Sequence, residues 1–289
     1  MSVTRSIAVE TAPSAPRAAA STPAQRAGRT RRSLSKLVYP LAFLVFALAM
    51  WEIIPRAFNV PTIYFPSLSA VLQALLDPAA VPLYFQNSLV TLGEAMAGLA
   101  IGASLGFLFG ILLAEVEVFR RTFYPYIVAF ESIPKVAIAP LLLIWFGFGI
   151  ESKIVVVALL TFFPLLINTM SGFKNVDPAQ IEMMRVNGAT RGQIRRKVVL
   201  PSALPQIFTG FEVAVVLSTL GAIVAEFVGG QSGLGVLIVQ AQFQMNTPAV
   251  FALLLILGAI GIVLNMLVRL LRRRLIHWVA AEQTTEATA

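Results

Sequence analysis

Asp177-Pro-Ala-Gln-Ile-Glu-Met-Met-Arg-Val-Asn-Gly-Ala-Thr-Arg-Gly-Gln-Ile-Arg-Arg-Lys-Val-Val-Leu-Pro-Ser-Ala-Leu-Pro205 is a polar island in an otherwise apolar chain. Its local chemistry predicts two short helices meeting at a corner. Asp177 is an N-cap with Pro178 at the first helical position, and Gln180 stands where a capping box places an amide. Gly188 takes the left-handed C-cap position at little steric cost. Thr190 and Gln193 then repeat the capping-box spacing, and Leu200-Pro201 is expected to end the second helix. Helices this short are marginal in water, so Ile181, Met184, Ile194 and Val198 predict a docking face. An amphipathic loop resting on lipid headgroups through Arg185, Arg191, Arg195, Arg196 and Lys197 fits the same pattern.

Around this island the chain reads as membrane protein. It has 289 residues, 57% hydrophobic and 12% charged, with a mean hydropathy of +0.81. That composition predicts an all-α polytopic protein. Six segments suit a bilayer core of about 30 Å: Leu37–Ile54, Asn87–Ala114, Tyr124–Phe148, Ser152–Phe173, Leu204–Val228 and Pro248–Leu271. The net charge of +8 is concentrated in residues 1–36, where Arg5, Arg17, Arg26, Arg29, Arg31, Arg32 and Lys36 face only Glu10. This tail imitates a transit peptide, but a disordered cytoplasmic tail that orients the first span is the plainer account. Basic residues also collect at Arg120-Arg121, in the 174–203 bridge and at Arg269 to Arg274, whereas the opposite connections hold only Arg56, Asp77, Glu151 and Lys153. The positive-inside rule therefore places both termini and the bridge in the cytoplasm. The expected organisation is a tail (1–36), a six-helix transmembrane domain (37–275) and a second tail (276–289).

Within the spans, Gly98, Gly102, Gly106 and Gly110 form a smooth strip for close helix packing. Glu131 and Lys135, at i and i+4 around Pro134, can neutralise each other. Glu94, Glu212 and Glu226 are costly in hydrocarbon, about 2.5–3.5 kcal/mol for a charge at the centre of a span, so they are expected to face protein or water. With Glu131 and Gln231, they are candidates for a solute path. Ties to backbone donors or a neighbouring helix explain the carboxylates equally well.

Glu182, five residues, Gly188, nine residues, Val198, one residue and Leu200-Pro201 resembles the EAA loop of inner-membrane subunits of binding-protein-dependent ABC importers. Met183 and Met184 stand where the family has alanines, and Val198 where it has isoleucine. The resemblance extends from about Asn87 to Arg273. It includes Glu131-Ser-Ile-Pro-Lys-Val-Ala-Ile-Ala-Pro-Leu-Leu-Leu-Ile-Trp-Phe-Gly-Phe-Gly149, Phe163-Pro164 and Ala225-Glu-Phe-Val-Gly-Gly-Gln-Ser-Gly-Leu-Gly235. These look like the branch serving nitrate, sulfonates, taurine, bicarbonate and thiamine precursors. Glu226 matches a glutamate of the family, while Glu212 stands where relatives more often carry a basic residue.

The resemblance implies the type I importer permease fold with six transmembrane helices, and a paired permease, most simply a homodimer. It implies a bacterial inner membrane, two copies of a separate ATPase and an extracytoplasmic solute-binding protein. Its ATPase-coupling residues fall on Ile181, Glu182, Met184, Arg185, Gly188, Ala189, Ile194, Leu200 and Pro201. Selection then rests mostly on the binding protein. The scarcity of basic residues near the path leans toward a neutral or cationic solute.

Other functions fit less well. With no cysteine, one histidine and two aspartates, the chain has little with which to build a metal or catalytic site, and no cofactor is expected. Gly229 to Gly235 lacks the Lys-Ser/Thr of a nucleotide loop. The charge distribution gives no nucleic-acid surface. An ion-gradient carrier using Glu94, Glu212 and Glu226 explains the membrane carboxylates but leaves the bridge unexplained.

Overall fold

The computed structural model describes residues 23–276 and 278, with side chains from Val38 onward. Of the expected tails, residues 1–22, His277 and residues 279–289 lie outside the described residues. The chain divides into two compact units, one through Ile53 and one from Ile54. Helix α1 (Pro23–Ala57) begins in the first and carries an apolar stretch, Val38–Ala57.

In the second unit, α2 (Leu68–Leu75) is a short helix, and Ser67 caps it by accepting the Ala70 N–H. Helix α3 (Val81–Glu115) is followed by α4 (Glu117–Glu131), a 3₁₀ turn (Lys135–Ile138) and α5 (Ala139–Phe146). Helix α6 (Ile150–Lys174) leads to α7 (Pro178–Val186) and α8 (Arg191–Ile194). A π turn (Arg195–Val199) then feeds α9 (Leu200–Gly229), α10 (Leu234–Phe243) and α11 (Thr247–Leu275). Among the described residues there is no strand.

Four long helices of this unit are apolar enough to cross a membrane, as is the Val38–Ala57 stretch of α1. The expected third span, Tyr124–Phe148, differs from a rod: α4 and the segment Lys135–Phe146 meet at 85°. Helix α4 stops at Ser132, whose hydroxyl turns back to the Val128 carbonyl, and Pro134 takes an extended conformation. Proline has no N–H to donate to the preceding turn and disfavours a helical residue before it, and here the break falls at Pro134, whereas Pro125 is carried inside α4. The fifth span corrects the sequence reading in the opposite direction. Leu200-Pro201 does not end a helix; the chain is helical without a break from Arg191 to Gly229, 39 residues. The five-residue π turn widens the helix just before Pro201 and Pro205, where the regular ladder would miss two donors.

The core is a layer of α3, α6 and α9. A Cβ on Gly102 would overlap the Ala158 carbonyl and the Thr161 hydroxyl, and one on Gly110 would lie 2.6 Å from Thr169 Cβ and 2.8 Å from the Leu166 carbonyl. Together with Gly98 and Gly106, these glycines let α3 approach α6 backbone to backbone, the packing their spacing predicts. On the other side of α6, Asn168 accepts a hydrogen bond from Gln206 of α9 at 2.9 Å.

Candidate functional site

The corner forms largely as its capping residues dictate. Asp177 Oδ1 accepts the Ala179 N–H at 2.8 Å and Pro178 opens α7. The chain leaves α7 through Gly188, at φ +77°, whose N–H bonds the Arg185 carbonyl while that of Ala189 bonds Met184. The next start is a complete capping box: Thr190 Oγ1 accepts from Gln193 N–H, and Gln193 Oε1 accepts from Thr190 N–H at 2.8 Å. Arg195 then reaches Glu115 at the end of α3 at 2.6 Å, tying the corner to a second helix. A groove of about 610 Å³, lined by Ile181, Arg185, Ile194, Arg195, Glu115 and Phe173 among others, separates α7 from that tie.

The expected docking face is partly covered by its own chain. Ile194 is 7% exposed, and Ile181, Met184, Ala189, Val198, Leu200 and Pro201 are half-buried. Their apolar surface packs against their own chain, because burial there supplies what such short helices lack. Met183 and Val186, 60% and 80% exposed, form the outward apolar face beside the exposed Glu182 and Arg185, which pair with each other at 3.4 Å.

At the other end of α9 is a polar cluster deep in the protein. Lys153, expected in a connection, is buried on α6 and donates to Glu94 Oε1 of α3 at 2.6 Å and to the Ser232 carbonyl at 2.9 Å. Glu226 of α9 accepts from the Thr91 hydroxyl at 2.7 Å through Oε1 and from the Gly235 N–H through Oε2. The first-turn N–H groups of α10 are thus capped from elsewhere in the chain. Gly233 N–H goes to Asn87 Oδ1 at 2.7 Å, Leu234 N–H to Thr91 Oγ1 at 2.8 Å, and Gly235 N–H to Glu226. A carboxylate at a helix N-terminus is favoured by the unsatisfied N–H groups and the dipole. Gly233, at φ +118°, lies against the Glu226 carboxylate, where any Cβ would overlap it.

The structure therefore brings Glu94 and Glu226 into one cluster and leaves the other path candidates apart from it. Glu212 pairs with Arg272 of α11 at 3.0 Å. Gln231 is exposed on the loop after α9. Glu131 is exposed at the end of α4, and the expected ion pair does not form: Lys135 Nζ bonds the Glu131 backbone carbonyl at 3.1 Å and lies 4.7 Å from the centre of the Phe163 ring. The Glu131 carbonyl and the ring face attract the ammonium. The sequence reading missed Asn87, Thr91 and Lys153. Asn87, Thr91 and Glu94 repeat at helical spacing, a polar stripe legible in an apolar span.

Comparison with known proteins agrees with this architecture. Residues 106–277 match the family described as "Binding-protein-dependent transport system inner membrane component". The riboflavin transport system permease protein RibX of Chloroflexus aurantiacus is 35% identical over 263 residues, covering 90% of this chain and 98% of that protein. The formylaminopyrimidine transport permease protein ThiX of Halalkalibacterium halodurans is 35% identical over 239 residues, covering 83% and 95%. An amino acid ABC transporter structure superposes with a TM-score of 0.57 at 20% identity, over 68% of this chain and 95% of that one. The inward-facing MetNI methionine transporter gives 0.54 at 23% identity, over 67% and 98%. These likenesses show the fold. With the helical corner, the apolar helices and the family match in hand, the chain belongs to the inner-membrane permease components of binding-protein-dependent ABC importers.

Proposed function

We propose that this permease works as a homodimer around a central solute path. Two copies of a separate ATPase dock on the 177–200 corner, and an extracytoplasmic binding protein delivers solute to the opposite face. Both termini lie in the cytoplasm of a bacterial inner membrane, which the basic clusters favour. The observation that carries this reading is the unbroken helix from Arg191 to Gly229. At 1.5 Å per residue it is about 58 Å long, so movement imposed on the corner reaches the far side of a bilayer through one rod. Glu182, Met183, Arg185 and Val186 would meet the ATPase, while Ile181, Met184, Gly188, Ala189, Ile194, Leu200 and Pro201 would hold the corner in shape.

ATP hydrolysis belongs to the partner in this reading, and closure of the partner's nucleotide sites would switch the path between its two openings. The gradient-driven alternative is weakened, because Glu94, Glu212 and Glu226 each have a partner in the chain, although Glu94 Oε2 has none among the described residues. The proposed cargo is a small organic solute. Two relatives are named for riboflavin and formylaminopyrimidine transport. Expression with the candidate ATPase and isolation of the membrane complex tests the docking. Co-purification in a constant ratio is expected; a permease that transports solute without any ATPase overturns the proposal.

A further inference from the structure

The bend between α4 and α5 combines two features that lipid does not tolerate together, open backbone geometry and an exposed charge. The ten helical steps from Arg121 to Glu131 rise about 15 Å, about half the hydrocarbon thickness. With α4 standing along the bilayer normal, Glu131 comes near mid-membrane when Arg121 lies at the interface. In the unit from Ile54, every other carboxylate well inside a candidate span is already held. Glu94 is paired with Lys153, Glu226 with Thr91 and the α10 N-terminus, and Glu212 with Arg272. The Glu131 carboxylate is exposed and receives no hydrogen bond or ion pair among the described residues, and its neighbours Ser132, Ile133 and Val136 are exposed as well. Lys135 is the nearest cation in sequence, but its half-buried ammonium is occupied by the Glu131 carbonyl and the Phe163 ring.

We infer that Glu131 lines the aqueous path and contacts the solute there, selecting cargo that presents N–H donors or positive charge over compact anions such as sulfonates. The inference rests on the permease reading and narrows its path to the bend. A carboxylate has only acceptors, so it pairs with an amine or amide edge and repels a sulfonate. In a paired permease the second copy would bring its own Glu131 to the same path, doubling the negative field.

The chain contains no cysteine, which makes the test direct. Glu131→Cys and Ile133→Cys, each alone in the full chain assembled with its partners, are exposed to water-soluble methanethiosulfonates carrying trimethylammonium or sulfonate. Both positions are expected to react from water. With each rate divided by that of the same reagent with a free thiol in solution, because the cationic reagent is intrinsically faster, Ile133→Cys is expected to favour the cationic reagent about threefold at low salt. Glu131→Gln in the same background should abolish that preference. Two positions are used so that a local packing fault at one does not decide the result. If both are unreactive, the bend is not on the aqueous path; if the preference survives Glu131→Gln, this carboxylate does not set the selectivity. Either result overturns the inference while leaving ATPase co-purification, and hence the permease reading, intact.

Discussion

Lys153 and Glu94 form an ion pair at 2.6 Å with both side chains buried, joining α6 to α3 at the level where α10 begins. A buried pair of this kind is weak evidence for stability, but removing one member leaves an uncompensated charge at a cost of about 3–5 kcal/mol. Lys153→Met is therefore expected to lower thermal stability in detergent severely. Lys153→Met combined with Glu94→Leu should recover most of it, since neither charge is then buried alone. A double variant as unstable as the single one would show that the pair holds the fold through its contact with the Ser232 carbonyl instead.

Gly188 needs its lack of a side chain for backbone reasons alone. It sits at φ +77°, and a Cβ there would meet nothing within 4 Å. Gly188→Val is expected to cost roughly 1–2 kcal/mol locally by forcing the corner out of its left-handed turn. The protein should still insert in the membrane, but ATP hydrolysis stimulated by the binding protein should be lost. Gly188→Asn, which tolerates that conformation, should retain much of it. Transport at the normal rate by Gly188→Val would count against the corner as the coupling element.

The glycine strip makes a contrasting prediction. Gly102→Leu places a side chain where α6 backbone already stands, so failure to assemble is expected, read as loss of monodisperse protein in detergent. Gly258→Leu on α11 meets nothing within 4 Å of its first carbon and should leave the yield of a single subunit unchanged.

This strip and the corner were legible because both are local: small residues every fourth position, and caps at fixed offsets. Other features lay beyond such signals. Tyr124 to Phe148 passes as one apolar span even with Glu131, Pro134 and Lys135 inside it, so hydropathy alone cannot report the 85° bend within it. Leu200-Pro201 reads as a stop, yet the preceding π turn carries the helix past it. Lys153 stands next to the start of an apolar run, where counting charges assigns it to a connection. Its partner lies 59 residues away, a separation that no spacing rule encodes. Ile194 and Met184 read as an outward face because a short amphipathic helix does not say which side its own protein will cover.

Glu226 offers the sharpest separation between a structural and a solute-contacting carboxylate. Its oxygens accept from Thr91 and from Gly235 N–H, so a glutamine with its carbonyl toward Gly235 and its amide toward the Thr91 oxygen preserves both contacts. Glu226→Gln should therefore keep α10 in place. Glu226→Leu leaves the Gly235 N–H without its partner in a dry interior, at a cost of about 1–3 kcal/mol, while the Thr91 hydroxyl keeps the Asn87 carbonyl. Amide hydrogen exchange, followed by mass spectrometry over residues 233–236, reads this directly. A loss of about 2 kcal/mol corresponds to exchange roughly 30-fold faster in the leucine variant, with little change in the glutamine variant. If Glu226 serves the solute instead, exchange should stay slow in both variants while transport falls in both. Loss of transport confined to the leucine variant, together with its faster exchange, assigns the residue to holding α10.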